Sequence, residues 1–391
     1  MLKKICMVSY SYYSHDVRVS REAEALAQQG MRIDCFCLRE RGYAKSSVVN
    51  GVNIKRLPLH KYRGGSTVKY ATAYALFFLL SFFAVFKYHI KNRYDLIQFH
   101  TLPDFIIFTG LIPKIFGAKL LLDMHEIMPE FYMSKFGVKM YHPLIMVLKH
   151  LEKISVRFAH AVIVINEPIR RLIIERCKPR LNITIVMNCA DDKLFCADGF
   201  TNAVEPFDFT LMYHGTLTPI YGLEVAIQAV AMLKNRIPQL KFCIFGDETE
   251  TNGLKKLAEN LDTGRSVVFM GRVPREEIPQ YIRGADIGVL PMIRDEFIEL
   301  SFSNKLAEYV CTKTPVVATR LKSTLEYFPE DAISYFESKD IGGLASRIYE
   351  LYENPERRRL QAEKAFEHYQ DIRWEIMRRR YIELIESLID S

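Results

Sequence analysis

What most constrains this chain is an alternation that is carried through once, stops, and begins again. Short apolar runs are separated by stretches of helical periodicity. Residues 5–9 read as a strand, 16–29 as an alanine-rich helix capped by Asp16 and stopped by Gly30, and 32–38 as the next strand. Further apolar runs stand at 96–99, 120–122 and 162–165. After a polar stretch at 198–206 the pattern restarts, with strands predicted at 209–213, 241–245, 267–270, 287–290 and 315–318. Repeated strand–helix units require parallel crossovers, so the fold class is α/β: two Rossmann-like, doubly wound parallel sheets. A length of 391 residues exceeds what one core usually supports. The domains are predicted at 1–203 and 204–371. Ligands of such sheets bind beyond the carboxyl ends of the strands, and the predicted site is the cleft between the two domains.

Charge divides the chain in the same place. The net charge is +7, but residues 1–205 hold 29 Lys and Arg against 17 Asp and Glu, and the remainder is acidic. A basic first half calls for an anionic partner. No DNA- or RNA-binding signature accompanies it, which leaves an anionic membrane surface and excludes nucleic acid. The eight cysteines form no CxxC pair and no framework, so free thiols in a reducing cytoplasm are expected. The N-terminus has the basic start of a leader but only a short apolar run, better suited to a buried strand.

The segment 299–319 carries the chemistry. It reads as a polar loop, a helix starting near Ser303, and a buried strand opened by Pro315. A helix start offers free N–H groups and a positive dipole end to an anion, and Lys305 stands beside it. Glu308, one turn on, is placed to accept hydrogen bonds from sugar hydroxyls. A nucleotide diphosphate with its ribose answers that combination.

Several ordered pieces then resemble the family 4 glycosyltransferases: Asp16-Val-Arg-Val-Ser-Arg, His125-Glu126, Asn188-Cys-Ala-Asp191, His214-Gly-Thr-Leu217, Gly271-Arg-Val273, Ala285-Asp-Ile-Gly-Val-Leu-Pro291, and Ser303-Asn-Lys with Glu308 and Pro315. The resemblance covers nearly the whole chain. It implies the GT-B fold, with a last helix (372–391) packing back on the first domain. It also implies retaining transfer of a hexose-type sugar from a nucleotide diphosphate sugar to a glycan or lipid-linked acceptor. Donor contacts fall on Gly215, Thr216, Leu217, Arg272, Val273, Ser303, Asn304, Lys305, Leu306 and Glu308. His125 and Glu299 fall near the reacting sugar, and His15, Asp16 and Arg18 on the acceptor side. Thr216 and Tyr221 stand where the family often has Arg and Lys, and Leu300 where it has a glutamate. Lys305 therefore carries the diphosphate, helped by Arg272 or Arg294. No Asp-x-Asp motif lies at a strand end, and no essential metal or other cofactor is expected. Two alternatives share the fold: a nucleotide-sugar epimerase and a non-catalytic partner subunit.

Residues 70–86 are uncharged and rich in Phe and Leu, with Lys61, Arg63 and Lys69 before them and Lys87, Lys91 and Arg93 after. As a helix this run spans about 25 Å, short of the roughly 30 Å hydrocarbon core, so spanning is not expected. Two readings stand together: a buried helix of the first domain, and an interfacial helix through which 70–93 meets an anionic membrane, with Phe77, Phe78 and Phe82 at the contact. The expected location is cytoplasmic and peripheral on the inner membrane face.

Overall fold

The computed structural model describes residues 2–62, 64, 66–195, 209–247 and 251–391. The polar stretch 198–206, the domain boundary at 203/204 placed in it, and Arg63 lie outside the described residues. The chain forms two compact units, Met1–Met187 with Glu375–Ser391, and Asn188–Trp374.

Unit 1 runs β1 (Lys4–Ser9), α1 (Val17–Gln28), β2 (Arg32–Leu38), β3 (Ser46–Val49), β4 (Val52–Leu57), α2 (Thr67–Asn92) and β5 (Leu96–His100). A 3-10 stretch, Asp104–Gly110, leads into α3 (Leu111–Ile115), β6 (Lys119–Met124), α4 (Met128–Phe136), α5 (Pro143–Phe158), β7 (Ala161–Val164), α6 (Glu167–Cys177) and β8 (Ile183–Ile185). The sheet order is β3-β4-β2-β1-β5-β6-β7-β8, parallel except for the β3–β4 hairpin. That hairpin turns at Asn50-Gly51, both with positive φ, the backbone a tight two-residue turn demands.

Right-handed crossovers decide which face each helix covers. The β1-to-β2 connection runs one way along the sheet, and those from β4 to β5, β6, β7 and β8 run the other. So α1 lies on one face, while α2, α3, α5 and α6 form a layer on the opposite face. The sheet is buried from both sides, which is why β1, β5 and β6 read as mainly apolar runs.

Helix α2 is apolar nearly all round, so periodicity alone does not orient it. The fold does. Tyr70, Tyr74, Phe77, Ser81, Val85 and His89 are buried, and Val68, Leu76, Leu79, Phe83 and Ile90 are exposed. Phe77, expected at a membrane contact, is fully buried, and Phe78 and Phe82 are half-buried against their neighbours. By length and composition α2 is long and apolar enough to cross a membrane.

Unit 2 runs α7 (Asp192–Phe195), β9 (Phe209–His214), α8 (Leu223–Leu233), β10 (Leu240–Phe245), α9 (Asn252–Asn260), β11 (Val267–Gly271), α10 (Ile278–Arg283) and β12 (Ile287–Leu290). It continues through α11 (Asn304–Cys311), β13 (Val316–Thr319), α12 (Lys322–Leu325), β14 (Ser334–Phe336), α13 (Ile341–Glu353) and α14 (Pro355–Tyr369). Its sheet order is β11-β10-β9-β12-β13-β14, parallel throughout. The order reverses beside β9, where α8 and α11 begin.

The last helix, α15 (Trp374–Asp390), belongs from Glu375 onward to unit 1. Arg378 reaches Gln28 of α1, Lys3 pairs with Asp390 at 2.8 Å, and the buried Tyr381 hydroxyl donates to Gln98 at 2.6 Å. Among the described residues six cysteines are free. Cys311 is disulfide-bonded, against the expectation of free thiols throughout, since no spacing in the sequence marks it for pairing.

Candidate functional site

In unit 2 the site is assembled where β9 ends and α11 begins. Gly215 follows β9 with φ +113, and a Cβ there would lie 2.6 Å from the Lys305 Cε. The glycine thus gives the lysine stem its room, and any side chain would both strain the backbone and displace it. Ser303 is the N-cap of α11, but its side chain makes no capping hydrogen bond. The first N–H groups of the helix are left to a ligand, at the positive end of its dipole.

Lys305 is the second residue of α11. Its ammonium sits 4.2 Å from the Tyr221 ring centroid and 5.4 Å from that of Tyr213. It makes no hydrogen bond or ion pair to any described residue. Burial lowers its pKa to about 8, although Glu308 pulls the other way. A half-buried cation with only aromatic faces for company is electrostatically incomplete, and an anion completes it.

Beneath it, His214 is buried, and its Nε2 lies 3.5 Å from Glu308 Oε2 without a hydrogen bond. Burial, with Lys305 nearby, drives the His214 pKa down to about 3, so the ring is neutral at physiological pH. Tyr309 packs edge-on against it at 5.2 Å and donates its hydroxyl to Met212 O. The Tyr213 hydroxyl donates to Thr216 O at 2.6 Å, fixing the loop after Gly215.

Unit 1 has its own polar centre at the carboxyl ends of β5 and β6. Asp123 is fully buried, and Arg18 grips it with Nη2 at 2.7 Å from Oδ1 and Nε at 3.1 Å from Oδ2. His100 Nδ1 and His125 Nε2 each lie 3.0 Å from Asp123 Oδ2 and 3.0 Å from one another. Burial alone would raise the Asp123 pKa, but Arg18 and the two histidines hold its carboxyl well below the usual range. Burial pushes Glu22 up, and Gln98 donates to it at 2.7 Å. Asp16 caps α1 through Val19 N–H, and its pKa is lowered because His125, Ser11 and His100 outweigh its burial. The result is a fixed imidazole, His125, that is partly exposed and held from behind by a buried carboxylate. His100, Asp123 and His125 are also a group with metal-ligand atoms close together. Arg18 already engages both carboxylate oxygens, which makes the group a poor host for a second cation.

Two family models match the chain: residues 15–189 fit the glycosyl transferase 4-like domain, and residues 201–368 fit the glycosyl transferases group 1. Each half of the chain therefore matches a glycosyltransferase model, and the two matches together span most of its length. A D-inositol 3-phosphate glycosyltransferase of Corynebacterium urealyticum is 29% identical over 182 residues, which is 44% of this chain and 42% of that protein. The chain spans less than half the length of the curated relatives it matches. Sucrose-phosphate synthase from Thermosynechococcus elongatus superposes with a TM-score of 0.81 at 19% identity, covering 99% of both chains. Anabaena HepE in complex with UDP and glucose superposes with a TM-score of 0.72 at 16% identity, covering 98% of this chain and all of that one. At such identities the likeness is one of fold, and that fold is GT-B.

The predicted donor residues divide into two sets. Gly215, Ser303, Lys305 and Glu308 come together, with Thr216 and Asn304 exposed beside them. Leu217 and Leu306 are buried packing residues; Leu217 fills the space that a side chain at Gly246 would take. Arg272 and Val273 follow β11, an edge strand two places from β9. Arg294 is engaged by Glu299 and Glu337. Glu299 in turn accepts from Lys322 N–H at 3.3 Å, so its carboxylate ties two loops together.

On the other unit, His15 pairs with Glu40 at 2.7 Å. Arg18 lies in the first turn of α1, with its guanidinium turned onto Asp123. His125 finds Asp123 and His100, while Glu130 is committed to Arg176. Reading by sequence missed Tyr213, His214 and Asp123 as site residues. Each ends or nearly ends a strand that enters its site, and that position was the available signal.

Proposed function

We propose that this chain is a retaining hexosyltransferase that moves a sugar from a nucleotide diphosphate donor to a lipid-linked glycan acceptor, in the making of a surface polysaccharide or glycolipid. The observation that carries it is the Lys305 ammonium, half-buried, without an ionic partner among the described residues, and set at an open helix start beside Gly215. That arrangement suits a diphosphate, and Glu308 one turn on suits a ribose. The group 1 relatives support the reading: one is named for transfer to inositol phosphate, and a structural neighbour holds UDP and glucose.

In this mechanism Lys305 and the α11 N–H groups stabilise the departing diphosphate. The bond from the anomeric carbon to the diphosphate oxygen breaks, the acceptor oxygen bonds that carbon on the same face, and its proton passes to the leaving phosphate, so configuration is retained. Electrostatic stabilisation of this kind is where most of the rate enhancement is expected. His125, oriented by Asp123, is the side chain assigned to the reacting sugar. A lysine and a helix terminus in place of a divalent ion make the transfer metal-independent. The enzyme is cytoplasmic, peripheral on the inner membrane face, where a lipid-linked acceptor is presented.

A thermal-shift screen against UDP-, GDP- and ADP-sugars tests the reading, because a ligand bound only by the folded state raises the melting temperature. One nucleotide series should stabilise the wild type and not Lys305→Ala. Equal shifts in the two proteins would remove the lysine from the donor site. Turnover of the bound donor with no acceptor would favour the epimerase alternative.

A further inference from the structure

We propose that the outer surface of the α2–α3–α5 layer docks flat on an anionic phospholipid bilayer; the proposal rests on the membrane part of the reading above and assigns it a face. The three helices share one side of the unit 1 sheet, and their outward residues are apolar. On α2 the stripe Leu76, Leu79, Phe83 and Ile90 is exposed, with Phe83 at 64%. At the end of α3, Ile115 and Phe116 are more than 70% exposed, and on α5 so in part are Met146 and Val147, each above 50%.

The three are neighbours through the 3-10 stretch between them. Phe105 packs on Phe78 of α2, Phe108 packs on Phe158 of α5, and Phe116 lies against His89. A cavity of about 360 Å³ opens at the α2 end of this face, with Ile90, Arg93 and Phe116 in its lining. Isolated apolar residues on a surface need no explanation, but a run of them across three adjacent helices marks an interaction site.

Charge selects the occupant. Neither α2 nor α3 contains a single acidic residue. The one acid of α5, Glu152, is fully buried and paired with Arg176 at 3.0 Å. Lys69, Lys87, Lys91 and Arg93 are exposed along and just beyond α2, and Lys149 and Lys153 are half-exposed on α5. Asp95, exposed in the cavity lining, already accepts from Lys4 N–H at 2.7 Å, and an apolar face whose rim is otherwise cationic fits anionic headgroups over an acyl boundary. A second copy of the same face would bring like charges together. Spanning would require α2 to leave the sheet, baring the inward Tyr70, Tyr74, Ser81 and His89.

Flotation of the full chain with phosphatidylcholine vesicles, with and without phosphatidylglycerol, tests the assignment. The wild type should float only with phosphatidylglycerol and release as salt rises. Leu79→Glu and Phe83→Glu, both at exposed sites, should reduce the bound fraction about tenfold, a change of about 1.4 kcal/mol. They should keep the wild-type melting temperature and nucleotide shift. A wild type that ignores phosphatidylglycerol, or variants that float undiminished, would overturn the proposal. So would variants that merely split a dimer with no lipid binding, or a wild type that resists alkaline extraction from membranes. Lost nucleotide shift in the wild type with flotation intact would sink the transferase reading and leave the docking face standing.

Discussion

Replacing Lys305 by Met keeps the stem that fits over Gly215 and Tyr221 but removes the charge, and the two consequences should have opposite signs. In the free protein the ammonium is held at a cost, since burial lowers its pKa from 10.5 to about 8. A depression of that size corresponds to roughly 3 kcal/mol against the charged form, and partial solvent access reduces the usable part to about 1–2 kcal/mol. Removing the charge should stabilise the unliganded fold at neutral pH by that amount, or about 2–6 °C in melting temperature. The bound state responds the other way. A charge-assisted contact to phosphate contributes about 1.5–3 kcal/mol, so nucleotide diphosphate affinity should fall roughly 10- to 150-fold. Scanning fluorimetry of both proteins, with and without the nucleotide chosen by the sugar screen, reads both effects. A Lys305→Met protein that melts no higher than wild type and keeps its nucleotide shift would refute the reasoning.

The same lysine sets a pH dependence. An anion favours its charged form, so affinity should be full below about pH 8 and decline above it, while Lys305→Arg stays flat in calorimetric titrations. An Arg profile that falls in step with the wild type would contradict this. Gly215→Ala places a Cβ at φ +113 and against the lysine, so it should cost about 1–3 kcal/mol in urea unfolding and abolish the nucleotide shift; a silent substitution would count against the close approach. Asp123→Ala removes the closer of the two buried carboxylates that Arg18 meets, Glu22 at 3.2 Å being the other, and the loss should approach about 3 kcal/mol, the low end for a broken buried pair. Because the folded Asp123 pKa is depressed, the stability it contributes is present above the unfolded value near 4 and is lost as pH falls through the folded one. An unchanged acid-unfolding midpoint in Asp123→Ala would exclude that linkage.

Local signals were legible where local physics decides them. The runs at β1, β5, β9 and β12 are strands because both faces of each are covered, so apolar residues dominate and the few polar ones, such as Gln98 and Thr210, are buried with them. Ser303 was readable as a helix start, and Lys305 and Glu308 followed from it one turn apart. The β3–β4 hairpin was passed over although Asn50-Gly51 is a strong turn pair, because its strands are short and mostly exposed and so carry little hydrophobic pattern. The division between Lys305 as an open cation and Arg294 as a spent one was not legible. Glu299 and Glu337 reach Arg294 through loops whose course no periodicity encodes.

The sequence by itself determined the alternation of the central strands with helices, the restart that makes two sheets, and the helix start that offers a phosphate site. All of these depend on neighbours a few residues apart. Only the tertiary structure decided which side of α2 faces out, that Arg18 turns inward to Asp123 across 105 residues, and that Tyr381 meets Gln98 across 283. It also decided that Tyr221 and Gly215 frame Lys305. The reason is one of range. Periodicity records which face of a segment is buried when the segment is amphipathic. Parallel crossovers decide what distant side chains it is buried against, and no local pattern carries that information.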